Sequence, residues 1–258
     1  MNDALEFLNS HTSVRQFTDQ AVSTDDERRI VETAERSPTS SNLHAYSIIG
    51  IRDQGKKDKL AELCGGQGHV AKSSLFLVFC ADLFRLSRLC EQRGYRHNSD
   101  TAEMFIIATV DAALAAGRAL MAAQALGMGG VMVGGIRDCI ADVSSLLDLP
   151  ELTSPVMGMS LGYPVSPAKT KPRLPIDGLY FREQYRPEQI DTAVDEYDST
   201  IERMGYLRGR EVEPELYPNF SGRYSWSEHS ARRMATTEPG ALRAHMLPFL
   251  HKQGLMLK

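Results

Sequence analysis

The sequence predicts a fold of the α/β or α+β class, in which strands and helices alternate. The chain has 258 residues, of which 42% are hydrophobic and 24% charged, close to the average composition of soluble globular proteins. Short apolar runs typical of buried strands alternate with segments whose apolar residues recur at helical spacing. A chain of this length buries roughly 70% of its unfolded surface without disulfides or metals. We therefore expect a single domain over residues 1–258.

Charge and cysteine content argue against several classes of function. The 29 basic and 33 acidic residues give a formal charge of −4, which predicts neither nucleic acid nor an acidic membrane as the main partner. The four cysteines, Cys64, Cys80, Cys90 and Cys139, form no C-x-x-C pair, so we expect reduced structural thiols and no metal site.

No signal peptide is evident, and no apolar run reaches the roughly 20 residues of a membrane span. We expect a cytoplasmic protein.

The first half of the chain predicts two helices and two strands. Helical spacing covers Ala4 to Leu8 and Asp25 to Arg36, and the residues between them read as extended or turning structure. A β-branched strand follows at Ser47 to Ile51. The continuous apolar run from Leu75 to Leu83 predicts a strand that is buried on both faces. The charged stretch from Arg85 to Asp100 reads as an irregular excursion.

The second half begins with an unusually apolar helix over Thr101 to Leu126. Because it is apolar nearly all round, it must be enclosed on every side, either in the core or, as we favour, across a subunit interface. A short strand before Gly134, a helix to about Leu147 and a strand over Pro155 to Tyr163 follow. Amphipathic segments beyond residue 187 predict a C-terminal helical extension, about 187–258, that wraps the core or a partner subunit.

Two basic segments are candidates for binding an anion. His11-Thr12-Ser13-Val14-Arg15 combines cationic side chains with hydroxyls, a mixture suited to phosphate. In the segment from Lys169 to Pro175, two prolines bracket Arg173 and stiffen the backbone. Taken alone, the first segment is better explained as a solvated surface turn, and the second is equally explained as an exposed basic loop.

Glycine pairs flank a short apolar run from Gly129 to Gly135. Such glycines let another backbone or a flat ring come close, although a simple strand-to-helix turn is the favoured explanation when they are taken alone. The spacing is not G-x-G-x-x-G, and the sequence also lacks the G-x-x-x-x-G-K-[ST], H-E-x-x-H and G-x-S-x-G motifs. Sites for an anionic cofactor are thus easier to find than catalytic side chains, which suits a protein whose cofactor carries out the reaction.

These segments together resemble a known family. The matching stretches are HTSVRQFTD, SPTSSNLHAYSIIGI, GGQGHV, FLVFCADL, GMGGVMVGGIR, KPRLP and WSEH. In order and spacing the sequence resembles the oxygen-insensitive NADPH nitroreductases of the larger type and the allied NADPH-flavin oxidoreductases, within the flavin-dependent nitroreductase family. The likeness covers nearly the whole chain.

The resemblance implies a nitroreductase-like, FMN-binding α+β fold. The central sheet of this fold is mixed, mostly antiparallel and flanked by helices. Two chains form a domain-swapped homodimer. One FMN is bound per active site at the dimer interface, and NADPH is the co-substrate. The resemblance assigns the hydride to N5 of FMN and no certain catalytic role to any side chain.

The resemblance also implies which residues bind FMN. They are His11, Thr12, Ser13, Arg15, Thr39, Ser40, Gln67, Val133, Gly134, Gly135, Lys171 and Arg173. His11, Ser13, Lys171 and Arg173 match contacts to the phosphate and its chain, and Thr12 replaces an arginine common at its position. Arg15 and Gln67 match groups at the pyrimidine edge, where Arg15 gives electrostatic support. Thr39 and Ser40 match a loop contributed by the second subunit, and Val133 to Gly135 match the strand end beneath the ring.

Arg208 matches an arginine that recognises the NADPH 2′-phosphate, and Arg210 could assist it. The implied reaction is a two-electron transfer from NADPH, by a ping-pong mechanism, to nitroaromatics, quinones or free flavin. Two alternatives stay open: a flavin reductase that supplies reduced FMN to a partner, and a non-enzymatic flavin-binding protein. The stretch EVEPELYPNFSGRY after Arg210 is longer than the family pattern and bears on the substrate range.

Overall fold

The structure, a computed structural model, describes residues 3–167, 169–207, 224–235 and 242–258. The chain divides into two compact units, one of Met1–Lys169 with Arg243–Lys258 and one of Thr170–Leu242. The described helices are α1 (Asp3–Asn9), α2 (Thr24–Glu35), α3 (Gln54–Leu63), α4 (Gly68–Ala71), α5 (Phe84–Gln92), α6 (Ala102–Ala125), α7 (Ile140–Leu146), α8 (Ile190–Arg203), α9 (Trp226–Ala235) and α10 (Met246–Lys252). Helices α8 and α9 belong to the second unit.

The first unit is built on a four-stranded sheet of β1 (Tyr46–Ile51), β2 (Leu75–Asp82), β3 (Gly129–Val133) and β4 (Thr153–Gly162), in the order β1-β2-β4-β3. All three ladders are antiparallel. The predicted combination of helices with a mostly antiparallel sheet is confirmed. Parallel pairing in the described residues is limited to an isolated bridge between Ser13 and Gly130.

Strand β2 is central, and its side chains alternate between two hydrophobic clusters. Leu75, Leu77 and Phe79 pack with alanines of α6 on one face. Phe76 and Val78 pack on the other face with residues of α3 and of the segment after β3. This burial on both sides is the reason that the strand sequence is continuously apolar.

Helix α6 runs for 24 residues and crosses the first face of the sheet. Its length and composition would allow it to cross a membrane, with a mean hydropathy of 1.6 over 18 residues. One such helix is weak support for a membrane span, because the core helix of a soluble protein has the same properties. Here the buried face, which includes Ala112, Ala116 and Ala119, packs against α2 and the sheet.

Three helices lie where the sequence predicted none. Part of the charged stretch from Arg85 to Asp100, expected to be irregular, forms α5, because Leu86 and Ser87 turn inward from an otherwise polar helix. Helix α3 was missed because its many charged residues obscure the helical spacing of its apolar ones. Helix α4 was missed because it is only one turn long. Asp53 caps α3 by accepting a hydrogen bond from Lys56 N at 2.7 Å.

The second unit packs α9 against α8. The Tyr197 and Trp226 rings meet edge to face at 5.1 Å, and Asp198 accepts a hydrogen bond from Ser227 N at 2.9 Å. The WSEH segment therefore serves helix packing in this unit. Tyr197 also donates a hydrogen bond to the Pro172 carbonyl at 3.1 Å, which ties the proline-flanked basic segment to α8.

Candidate functional site

The His11–Arg15 segment lies against the edge of β3. Val14 N donates to the Gly130 carbonyl at 3.0 Å, and an added Cβ at Gly129 would lie 2.4 Å from Val14 Cγ2. The first glycine pair, Gly129-Gly130, therefore leaves space for the backbone and side chain of Val14. Close approach of another backbone was one of the two uses of these glycines that the sequence suggested. This packing buries Val14 and leaves the neighbouring Ser13 half-buried and Arg15 exposed.

Thr12 and Arg15 have different surroundings. The Thr12 hydroxyl donates to the Lys169 carbonyl at 3.1 Å, so the residue that replaces the family's arginine ties two loops together. No carboxylate of the described residues forms an ion pair with Arg15. An unpaired guanidinium beside a strand end is a ready partner for an anionic or electron-rich ligand.

Gln67 follows a turn that joins α3 to α4. Gly65 and Gly66 have φ of 78° and 73°, in the left-handed region that suits glycine. The turn directs Gln67 Nε2 to the Cys64 carbonyl at 2.8 Å. His69, one residue into α4, contacts Gln67 Oε1 through Nε2 at 3.0 Å and Ser160 Oγ through Nδ1 at 3.1 Å.

The end of β3 lies directly beside this turn. Val133 is the last residue of the strand, and Gly134 begins a 3₁₀ turn over Gly134–Arg137. An added Cβ at Gly135 would lie 2.4 Å from Gln67 Nε2 and 2.6 Å from the Cys64 carbonyl oxygen. Gly135 is therefore required for close contact between the strand end and the Gln67 turn.

The two buried cysteines of this unit are not candidate nucleophiles. Burial raises the pKa of both Cys64 and Cys80 to about 12, so both thiols remain protonated at neutral pH. In the described ranges, no three His, Cys, Asp or Glu side chains gather into a metal site. Arg243 forms an ion pair with Asp138 at 2.7 Å, and this pair neutralises the carboxylate that lies close to Gly135.

Thr39 and Ser40 lie elsewhere in the same unit. Ser40 N donates to Asp111 on α6 at 3.1 Å, whereas the α6 residue beside Gly130 is Leu120. Nine residues of helix separate Asp111 from Leu120, about 14 Å at 1.5 Å per residue. One protomer thus brings His11–Arg15, Gln67 and Val133–Gly135 to a common region along β3 and leaves Thr39 and Ser40 apart from it.

The remaining predicted site residues lie outside this unit. Lys171 and Arg173 are exposed in the second unit. There Lys171 Nζ donates to the Tyr206 hydroxyl at 2.8 Å. Arg208 and Arg210 lie outside the described residues.

The sequence analysis did not single out three residues of the first unit that form hydrogen bonds in or near the candidate site, His69, Ser160 and Asp111. Only Asp111 left a signal in the sequence, as the single charge within the apolar run from Ile106 to Ala116.

The state of His69 leads to a testable pH dependence. Burial, and secondarily the positive charge of Arg15, lowers the pKa of His69 from its ordinary 6.5. As pH falls through 6.5, the unfolded chain therefore binds a proton that the folded chain does not bind until a lower pH. We expect this residue to make the protein less stable on going from about pH 7.5 to about pH 5.

The measurement is the thermal midpoint of wild type and His69→Gln across that range. The glutamine cannot titrate, so its midpoint should fall less steeply with acidification than that of the wild type. Two curves that run parallel through the whole range would show that His69 makes no such contribution.

Comparison with known proteins identifies the family. The sequence profile of the nitroreductase family matches residues 8–163, and the profile of the family's C-terminal domain matches residues 171–258. The chain is 36% identical over 255 residues to the oxygen-insensitive NADPH nitroreductase of Salmonella typhimurium, with 98% of each chain covered. It is 38% identical over 215 residues to an FMN reductase (NADPH) of Bacillus subtilis, covering 81% of this chain and 85% of that one.

A solved structure extends the likeness to three dimensions. The NADPH:FMN oxidoreductase from Vibrio harveyi, complexed with NAD+, superposes with a TM-score of 0.85 at 30% identity, over 100% of both chains. Sequence and fold agree over both units of the chain. The chain belongs to the nitroreductase family.

Proposed function

We propose that this protein is an FMN-dependent NADPH oxidoreductase that passes two electrons to nitroaromatics, quinones or free flavin. The observation that carries the proposal is the Arg15 guanidinium beside β3, which forms no ion pair with a described residue and acts electrostatically on His69 next to Gln67, in a chain that aligns over 98% of its length with an NADPH-dependent relative. Bound FMN would supply the two-electron redox chemistry, in keeping with relatives named as an FMN reductase (NADPH) and an NADPH:FMN oxidoreductase.

The residues along β3 fit this cofactor by their chemistry. Ser13 and His11 offer a hydroxyl and an imidazole for the phosphate and its chain. Arg15 supplies a fixed positive charge for the edge on which negative charge accumulates during reduction. Gln67 supplies an amide donor at the same edge, and the glycine-rich strand end over Val133–Gly135 leaves room for a flat ring. By resemblance, Lys171 and Arg173 complete the phosphate site.

The proposed kinetic mechanism is ping-pong, because one open face can hold only one planar partner at a time. NADPH binds, delivers its hydride and leaves as NADP+ before the acceptor occupies the same place. Steady-state rates measured at several fixed acceptor concentrations should give parallel double-reciprocal lines. Intersecting lines would contradict alternating occupancy, and NADPH oxidation that no acceptor stimulates would contradict the oxidoreductase function itself.

A second function is favoured by the 38% identity to an FMN reductase. In that case the main product would be free reduced FMN, which a partner enzyme consumes. Turnover with excess FMN, compared with turnover with a nitroaromatic at matched concentration, separates the two functions. A non-enzymatic flavin-binding protein would show neither activity. We propose a cytoplasmic location, as the sequence led us to expect, and the packing of α6 on the sheet accounts for its apolar composition without a membrane.

We propose a homodimer formed across α6. The helix exposes an apolar stripe opposite its packed face, with Ile106, Val110 and Leu114 at four-residue spacing and 56%, 48% and 41% exposed. Such a continuous apolar stripe is typical of an interface with another chain. Ser40, which donates its N–H to Asp111 on this helix, and the adjacent Thr39 would then serve the partner's cofactor, and the C-terminal extension would wrap the core or the partner.

Introducing charge on this stripe should separate the subunits. We expect Val110→Glu with Leu114→Glu to give a monomer with weakened FMN binding, because two carboxylates cannot be buried unpaired. Sedimentation equilibrium measures the mass. Leu89→Glu alters an exposed leucine outside α6 and should leave the dimer intact. A dimer that survives both α6 substitutions would contradict this interface.

We propose, from the resemblance, that Arg208 recognises the NADPH 2′-phosphate, with help from Arg210. Losing a charge-assisted contact should raise KM for NADPH about 30-fold in Arg208→Ala, with little change for NADH, which lacks that phosphate. Arg203→Ala, at the exposed end of α8, is the control and should alter neither value. Equal effects on the two nucleotides would remove this assignment.

A further inference from the structure

A chain of three hydrogen-bonded side chains includes Gln67 and two residues, His69 and Ser160, that have no role in the function proposed above. Ser160, fully buried on β4, contacts His69 Nδ1, and His69 Nε2 contacts Gln67 Oε1. Gln67 Nε2 in turn donates to the Cys64 carbonyl at 2.8 Å. The chain joins residues 91 positions apart in sequence and ends at a side chain next to the β3 terminus.

The contacts fix the direction of every hydrogen bond. Because Gln67 Nε2 donates to a carbonyl, its Oε1 must face His69, so His69 Nε2 carries the hydrogen. Nδ1 is then free to accept from the Ser160 hydroxyl. A neutral imidazole satisfies both contacts, and burial favours this form by lowering the pKa of His69.

The same contacts prevent the Gln67 amide from turning over. Reversal would point the amide oxygen at the Cys64 carbonyl oxygen, a repulsive contact, and would pair the NH2 group with His69 only after the imidazole had changed tautomer. In the observed orientation one Gln67 N–H is used by Cys64, and the other has no partner among the described residues. Gln67 therefore accepts from His69 through its oxygen and has one N–H left to donate to a ligand.

We propose that His69 is a positioning residue that, through Ser160, locks the Gln67 amide with its free N–H available to an acceptor atom of the cofactor. This inference rests on the proposed function, because the acceptor belongs to the pyrimidine edge of FMN. A fixed donor there stabilises the electron-rich, reduced cofactor more than the oxidised one. His69 acts only through Gln67 and needs no contact with the cofactor.

A double-mutant cycle with FMN affinity and midpoint potential as readouts tests this role. The holoenzyme is compared with His69→Phe, Gln67→Ala and the double variant, and His69→Gln is the conservative control that keeps an amide donor. We expect His69→Phe to weaken FMN binding about fivefold and to lower the midpoint potential. His69→Gln should recover most of the affinity, and His69→Phe should have almost no effect once Gln67 is alanine.

The outcomes separate this inference from the proposed function. If His69→Phe weakens binding equally with and without Gln67, its role is only structural and the proposal is wrong. If His69→Phe does not fold, Ser160→Ala takes its place in the cycle, with the same coupling expected and the same contradiction if the effects are additive. A wild-type protein that binds no FMN overturns the proposed function, and this inference with it.

Discussion

Gly135→Ala is expected to lower the free energy of unfolding by about 3 kcal/mol and to weaken FMN binding more than about tenfold. The added methyl group would lie 2.4 Å from Gln67 Nε2 and 2.6 Å from the Cys64 carbonyl oxygen. The second of these atoms is backbone and cannot rotate away, so either the strand end or the Gln67 turn must move. Movement of either would disturb both sides of the candidate site.

Gly134→Ala is the matched control, one residue away in the same turn. The nearest atom to a methyl group there is Arg137 Nη2 at 3.4 Å, an ordinary contact with a flexible side chain. We expect less than about 1 kcal/mol of destabilisation at Gly134. Urea unfolding of the two variants provides the comparison, and flavin titration measures the loss of affinity at Gly135. Similar losses at both glycines would contradict the close contact at Gly135.

Asp111→Ala is expected to destabilise the protein by a similar amount, about 3 kcal/mol, and to lower the thermal midpoint by roughly 9 °C. Asp111 is 1% exposed and accepts hydrogen bonds from Ser40 N and Ala45 N, both at 3.1 Å. The loop between these two donors holds Ser41, Asn42 and His44 at φ of 49°, 56° and 50°. Left-handed backbone of this kind needs outside support, which the carboxylate supplies.

The side chain at 111 can be varied in steps. Asp111→Asn keeps one accepting oxygen and should lose about half as much stability as alanine. Glu103→Ala removes an exposed carboxylate from the first turn of the same helix and should cost less than about 1 kcal/mol. Because the loop carries Thr39 and Ser40, FMN affinity should fall in the same order as stability. An Asp111→Ala protein as stable as Glu103→Ala would contradict this role.

Local sequence was sufficient to predict most of the sheet. The run from Leu75 to Leu83 was expected to be a doubly buried strand, and β2 covers Leu75–Asp82 between two hydrophobic clusters. Such a strand is predictable because both of its faces meet apolar partners, so every position carries the signal. Helix α5 was not predictable in the same way, since few of its residues face inward and the charged majority obscured the pattern.

The candidate site was predictable where its residues follow one another in sequence. The His11–Arg15 and Val133–Gly135 segments each carry a compact signal of charge or glycine, and the structure brings both to β3. The contacts that join distant residues leave no local trace: Ser160 with His69, and Asp111 with the Ser40 loop. Whether Lys171 and Arg173 join the same site stays a prediction from resemblance.

The central claim is that Arg15 and Gln67 hold an FMN that NADPH reduces. The most direct measurement is the visible absorbance of the purified protein, loaded with FMN and kept free of oxygen, before and after one equivalent of NADPH. The account predicts a bound-flavin spectrum that bleaches on adding NADPH and returns on adding a quinone. A protein that cannot be loaded with FMN, or whose flavin spectrum NADPH leaves unchanged, would contradict it.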